Sequence, residues 1–279
     1  MMVGVATILS VCVTLFISLI LPMILYIVYG VKNKGKGIWS AWLLGAAGFF
    51  VFQIVIRIPI LNILSRKEGF LSFATEHYVL YCLLLAFTAA LFEVVGRYAV
   101  AKIMSKNLTY ERSIAAGLGH GGIEAMLIIG MTYINNLVYI VMINTGTFDG
   151  VVEQTAALGV DTSSLVTIKE TLISSGAGIF LLAGYERVLT MIAHVALSLL
   201  VCYFVSKKKD RMGILICLLC HCVMDFIAPM VNGMATEQLG NVLSTQVAYA
   251  IIYILLTVIA AAAILVIRYV KKNWQNSGL

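Results

Sequence analysis

Seven apolar segments, each long enough to cross a hydrocarbon core that takes about 20 helical residues, dictate what this chain can become. They run approximately over residues 3–30, 38–61, 77–101, 113–145, 179–205, 212–231 and 244–268. In lipid every backbone N–H and C=O must be satisfied by the protein itself, and runs of this length do so as helices. The sequence therefore predicts an all-α protein, a polytopic transmembrane helix bundle of about seven spans. It reads as one integral-membrane domain over 1–279, multi-pass in the cell membrane. Only 11% of the residues are charged, against about 25% in soluble domains. The net charge of +6 lies in short clusters beside the spans. That is a topology signal, with membrane lipid as the partner and no nucleic-acid face.

The loops alternate in sign, except that the loop after the second span, with Arg66, Lys67, Glu68 and Glu76, gives no clear sign. Lys32, Lys34 and Lys36 follow the first span, Lys102, Lys106 and Arg112 bracket the next basic loop, and Lys207, Lys208, Lys209 and Arg211 follow the fifth. Arg268, Lys271 and Lys272 close the last. The loop at about 146–178 is acidic, with Asp149, Glu153, Asp161 and Glu170 against Lys169. Basic loops belong inside, so the N-terminus is expected outside, the C-terminus in the cytoplasm and the 146–178 loop extracytoplasmic. Val151–Leu158 and Ser164–Ser174 read as short interfacial helices within it. Pro22 and Pro59 are expected to kink the first two spans, and Pro229 to mark the outer end of the sixth. Asn135 and Asn136 read as a cap or break in the fourth.

Against this apolar background a few ionisable residues stand out. Span 3 carries Glu93 and Arg97, span 4 His120 and Glu124, span 5 His194, and span 6 His221 and Asp225. Residues four apart share one helical face. Counted from the nearest basic loop at 1.5 Å per residue, these groups lie roughly 12–21 Å from the cytoplasmic end, in one layer near mid-bilayer. Each has a plain structural explanation taken singly: a salt bridge for Glu93–Arg97, packing for His194, a self-satisfied pair for His221–Asp225. Left idle together, they cost on the order of 10 kcal/mol. That cost favours a shared site on the helices over about 77–231.

The motifs Glu93-Val-Val-Gly-Arg97, Gly-His120-Gly-Gly-Ile-Glu124, His194 and His221-Cys-Val-Met-Asp225 resemble those of the YhfC family of intramembrane proteases. That family is similar to the wider CAAX-type prenyl endopeptidases and bacteriocin-processing enzymes. The wider group carries Glu-Glu-x-x-x-Arg, Phe-x-x-x-His and His-x-x-x-Asn/Asp on successive helices. Here Phe92 stands in place of the first Glu and Ala116 in place of the Phe. The resemblance covers spans 3 to 6 and implies an intramembrane endopeptidase of glutamic type that needs no cofactor. In that reading Glu93 activates water, His221 positions it and Asp225 orients His221. His120 or Arg97 stabilises the oxyanion, and Glu124 and His194 complete the cavity. The missing first Glu leaves Glu93 and Glu124 both open as the base.

Two alternatives stay open. One is a zinc peptidase in which His120, His194 and His221 with a carboxylate fill a three-ligand catalytic site. The other is a proton-coupled transporter, since intramembrane Glu, His and Asp also mark ion pathways. For a peptidase, the expected substrate is a membrane-embedded or lipidated peptide, or a bacteriocin-like precursor, cut toward the cytoplasmic half. Gly117, Gly119, Gly121 and Gly122, around His120, are the expected gap through which it reaches the site and, for a transporter, the stretch where span 4 is expected to unwind.

Overall fold

The computed structural model describes residues 1–275, and among them there are helices and no strand. Seven helices are long and apolar enough to cross a membrane. In chain order, with the shorter ones, the helices are α1 (Val5–Lys32), α2 (Ile38–Leu64), α3 (Glu68–Glu76), α4 (Tyr78–Ile103) and α5 (Tyr110–Asn144). After them come α6 (Phe148–Ala157), α7 (Ser163–Ser174), α8 (Ala177–Ser206), α9 (Asp210–Met234) and α10 (Thr245–Gln275). The protein is a multi-pass integral membrane protein. Its outward faces carry exposed Leu9, Leu43, Leu80, Val141, Leu215, Val258 and Leu265, as a lipid-facing surface requires.

Three spans contain a stretch of π-helix: Phe16–Ile20 in α1, Phe50–Arg57 in α2 and Ala125–Gly130 in α5. The first two lie just before Pro22 and Pro59. A proline removes the N–H that would reach four residues back and crowds that carbonyl, and a wide turn absorbs both effects. Pro229 does not end α9, which runs on to Met234. Its carbonyl instead accepts a 2.8 Å hydrogen bond from Tyr78. Asn135 and Asn136 neither cap nor break α5, which is α-helical from Met131 to Asn144. The glycine run does not unwind it either; the irregular turn begins at Ala125, after Glu124.

The chain divides into two compact units. One comprises Met1–Ile24 and Ala125–Val188, the other Leu25–Glu124 and residues 189 onward. The first is built around Val11, Tyr133, Ile140, Phe148, Leu172 and Phe180. Its helices are tied at the Phe180 carbonyl, which accepts from Thr14 at 2.6 Å and Tyr133 at 3.0 Å.

The second unit holds all seven candidate site residues, Glu93, Arg97, His120, Glu124, His194, His221 and Asp225. Helices α4 and α9 run antiparallel in it and are pinned at both ends. Tyr98 and Lys102 meet Asp210 at 3.0 and 2.9 Å, and Tyr78 meets Pro229 at the other end. Helix α5 is pressed against α2 through glycine. A Cβ on Gly45 would stand 1.9 Å from the Ala116 carbonyl oxygen, and one on Gly119 would stand 2.0 Å from that of Trp42. Small residues allow this backbone approach, which is how membrane helices gain packing without a hydrophobic driving force. Replacing Gly45 by Val is expected to cost about 3 kcal/mol or more by overpacking, read as a lowered unfolding midpoint of the detergent-purified protein.

Candidate metal and active site

Arg97 sits at the centre of the polar cluster. From α4 its guanidinium reaches two other helices and its own. Nη2 donates to Glu93 Oε2 at 3.0 Å and to His194 Nδ1 at 2.6 Å. Nη1 donates to His221 Nδ1 at 3.1 Å, and Nε to Ser198 Oγ at 3.3 Å. A guanidinium is only ever a donor, so both Nδ1 atoms are acceptors and the protons of His194 and His221 lie on Nε2. On that side His194 Nε2 lies 2.8 Å from Glu124 Oε2, and His221 Nε2 lies 3.3 Å from Asp225 Oδ2. His120 Nε2 lies 2.9 Å from Glu93 Oε2, with the edge of Phe49 against its ring.

The seven residues named from the sequence thus form one connected cluster, not three separate helical pairs and a lone histidine. His120 and His194 stack with ring centroids 5.5 Å apart, and His194 meets His221 edge-on at 5.4 Å. Glycine makes this possible: a Cβ on Gly121 would lie 2.9 Å from that of His194, and one on Gly117 would lie 2.7 Å from Val195 Cα. The glycines therefore seat α5 against α8 and α2. They are not a gap for substrate.

Glu93, Arg97, His120, His194 and His221 are only 1–3% exposed, whereas the side chains of Glu124 and Asp225 are 15% and 28% exposed. Two residues were not singled out from the sequence. Gln53 on α2 donates to Glu93 Oε1 at 2.6 Å, and Ser198 on α8 accepts from Arg97. Gln53 left one signal, a lone amide in the apolar stretch from Phe49 to Ile56. Ser198 left none, since serine is common in spanning helices.

Four of these side chains, Glu93, His120, Glu124 and His194, each offer a ligand atom, all within 4.8 Å of one another. Two imidazoles and two carboxylates are donors that suit zinc or another first-row divalent ion. The charge balance also fits. Three carboxylates in the seven-residue cluster face one guanidinium, and buried charge needs compensation.

The sequence matches the profile of the YhfC intramembrane metalloprotease family over residues 17–242. The chain belongs to that family. A relative, the membrane protein YhfC of Bacillus subtilis (strain 168), is 31% identical over 194 residues, covering 69% of this chain and 73% of that protein. No solved structure matches. As a YhfC family member the protein is an intramembrane peptidase, a hydrolase.

The family and the donor cluster together overturn the expectation of a site without a cofactor. This is a metalloprotease family, and the residues for a metal are brought together. The set that clusters also differs from the three histidines of the zinc alternative. His221 is outside it, held by Arg97 and beside Asp225, and the two glutamates are inside.

Losing one partner of a buried ion pair costs about 3–5 kcal/mol. Arg97→Met is therefore expected to destabilise the protein by that order. The double variant Arg97→Met/Glu93→Gln should recover part of the loss, measured by denaturant unfolding in detergent.

Proposed function

We propose that this protein is a metal-dependent intramembrane endopeptidase in which Glu93, His120 and His194 hold zinc and Glu124 serves as the general base. The observation that carries this reading is the approach of four donor atoms to within 4.8 Å, with one carboxylate more accessible than the other. Two histidines and a glutamate are one of the ligand sets that catalytic zinc uses, with a further position left for the reaction. Glu93 is enclosed by Gln53, Arg97 and His120, as a fixed ligand should be. The side chain of Glu124 is the more accessible of the two, 15% exposed against 4% for Glu93, as suits a base.

Bound there, zinc supplies Lewis acidity toward the scissile carbonyl and lowers the pKa of water into the neutral range. The chain's own residues do the rest. Glu124 takes the proton of the attacking water and delivers it to the departing amine. His194 stands 2.8 Å from that carboxylate, which places the base beside a ligand. Arg97 and His221, with Asp225 beside it, are the donors available to a developing oxyanion, in a site dry enough for them to count. A glutamate that activates water is retained from the glutamic-type reading, here working beside a metal.

The substrate class that fits is a membrane-embedded or lipidated peptide. The cluster lies within spanning helices, and Glu93 is about 15 Å along α4 from the Lys102 end and about 22 Å from the other. With the basic loops in the cytoplasm and the N-terminus outside, cleavage falls in the cytoplasmic half. Nothing in the arrangement favours transport over hydrolysis.

Purified protein is expected to hold about one zinc per chain. Glu124→Gln should keep the metal and lose about 10²–10⁴-fold in kcat against a membrane-embedded peptide. His120→Ala and His194→Ala should lose the metal. Full cleavage after chelator stripping, or a purified protein that takes up no zinc, overturns the proposal.

A further inference from the structure

The two oxygens of Glu93 face different surroundings. Oε2 faces the donor cluster, 2.9 Å from His120 Nε2 and 3.0 Å from Arg97 Nη2. Oε1 faces α2 and accepts the 2.6 Å hydrogen bond from Gln53 Nε2. Gln53 is 5% exposed. Its own Oε1 accepts from Arg57 Nη1 at 3.3 Å. Arg57 in turn donates through Nη2 to the Leu85 carbonyl at 2.8 Å and through Nε to Thr88 Oγ1 at 3.2 Å. Leu85 and Thr88 lie on α4, the helix that carries Glu93. The chain of hydrogen bonds leaves α4 at the carboxylate, crosses to α2 and returns to α4, closing a loop.

This loop has one polarity. Arg57 can only donate, so it fixes the oxygen of the Gln53 amide, and the amide nitrogen must face Glu93. An ionised carboxylate can only accept, so both ends agree. Gln53 and Arg57 both belong to the π-helical stretch Phe50–Arg57, a type of local widening that recurs at functional sites. Neither residue is part of the motifs carrying the family resemblance.

We propose that Gln53 is a positioning residue for the metal site, with Arg57 as its anchor. The outer torsion of a glutamate is soft and broad. Binding one oxygen from α2 sets the rotation of the carboxylate, so that Oε2 is the oxygen presented to the metal. Carboxylate ligands elsewhere are themselves hydrogen-bonded in this way, and losing such a partner costs 10–100-fold in metal affinity or activity. This inference rests on the zinc reading of the site.

The test compares wild type, Gln53→Met and Arg57→Met in detergent. Zinc affinity is measured by competition with a chromogenic chelator, beside the unfolding temperature of chelator-stripped protein. Gln53→Met is expected to bind zinc about 10–100-fold more weakly. Arg57→Met, which leaves both oxygens of Glu93 their partners, should show a smaller loss in the same direction. A role in folding alone would lower the unfolding temperature and leave the zinc affinity of folded protein unchanged. Wild-type affinity in folded Gln53→Met overturns the inference while the zinc reading stands. Should that variant not fold, wild-type affinity in Arg57→Met overturns it equally. A wild-type protein that binds no zinc overturns the zinc reading and this inference with it.

Discussion

A carboxylate buried among spanning helices is the constraint around which the second unit is built. Glu93 is 3% exposed, and a charge so placed costs several kcal/mol unless it is paired and hydrogen-bonded. The compensation comes from three helices: Arg97 on its own, Gln53 on α2 and His120 on α5. A cation that offsets Glu93 must itself be satisfied, and Arg97 spreads its remaining donors over His194, His221 and Ser198 on α8 and α9. One buried acid thus fixes the lateral positions of five helices. The glycine contacts serve the same assembly, since small residues let the helix backbones carrying these side chains approach closely.

The spans were legible in the sequence because their signal is strong and local. Expected and observed ends agree to within three residues except at the C-terminal end of α10, which runs to Gln275 past Arg268, Lys271 and Lys272. Basic side chains at a helix C-terminus favour continuation through the macrodipole, and Trp274 is buried there. The short helix Glu68–Glu76 was not read in advance, since charge and only about two and a half turns of pattern look like a loop. The seven site residues were legible because charge inside an apolar run is rare, and their common depth followed from counting along helices of known rise.

The wiring between them was not legible. Spacing paired His120 with Glu124 and His221 with Asp225, each along its own helix. In the structure His120 meets Glu93 of α4, and Glu124 meets His194 of α8. An i,i+4 rule sees one helix at a time, whereas the strongest contacts here cross between helices. Gln53 and Arg57 escaped for a related reason. They lie in a π-helical stretch, where the 3.6-residue period fails and an apolar face cannot be traced by counting. The metal stayed an alternative, with a different ligand set, because no compact ligand motif exists. The donors come from α4, α5 and α8, and only folding brings them together.

Access to the cluster follows from its packing. On the side of α2 and α8 it is closed: backbones meet at Gly45, Gly117, Gly119 and Gly121. The void lined there by Arg97, His120 and Ser198 is only about 10 Å³, the lower limit for a single water. On the other side exposure rises from 1–3% at the core residues to 15% at Glu124 and 28% at Asp225. Along α5 and α9 those two carboxylates lie one turn beyond His120 and His221, farther from the end that carries Lys102, Asp210 and Arg211. In the proposed reading, water and peptide therefore approach past Glu124 and Asp225. The residue suited to move a proton stands at the mouth of the cluster, and the residues suited to hold a metal stand behind it. A hydrolytic site needs that order, because the reactants must meet the base without displacing the ligands.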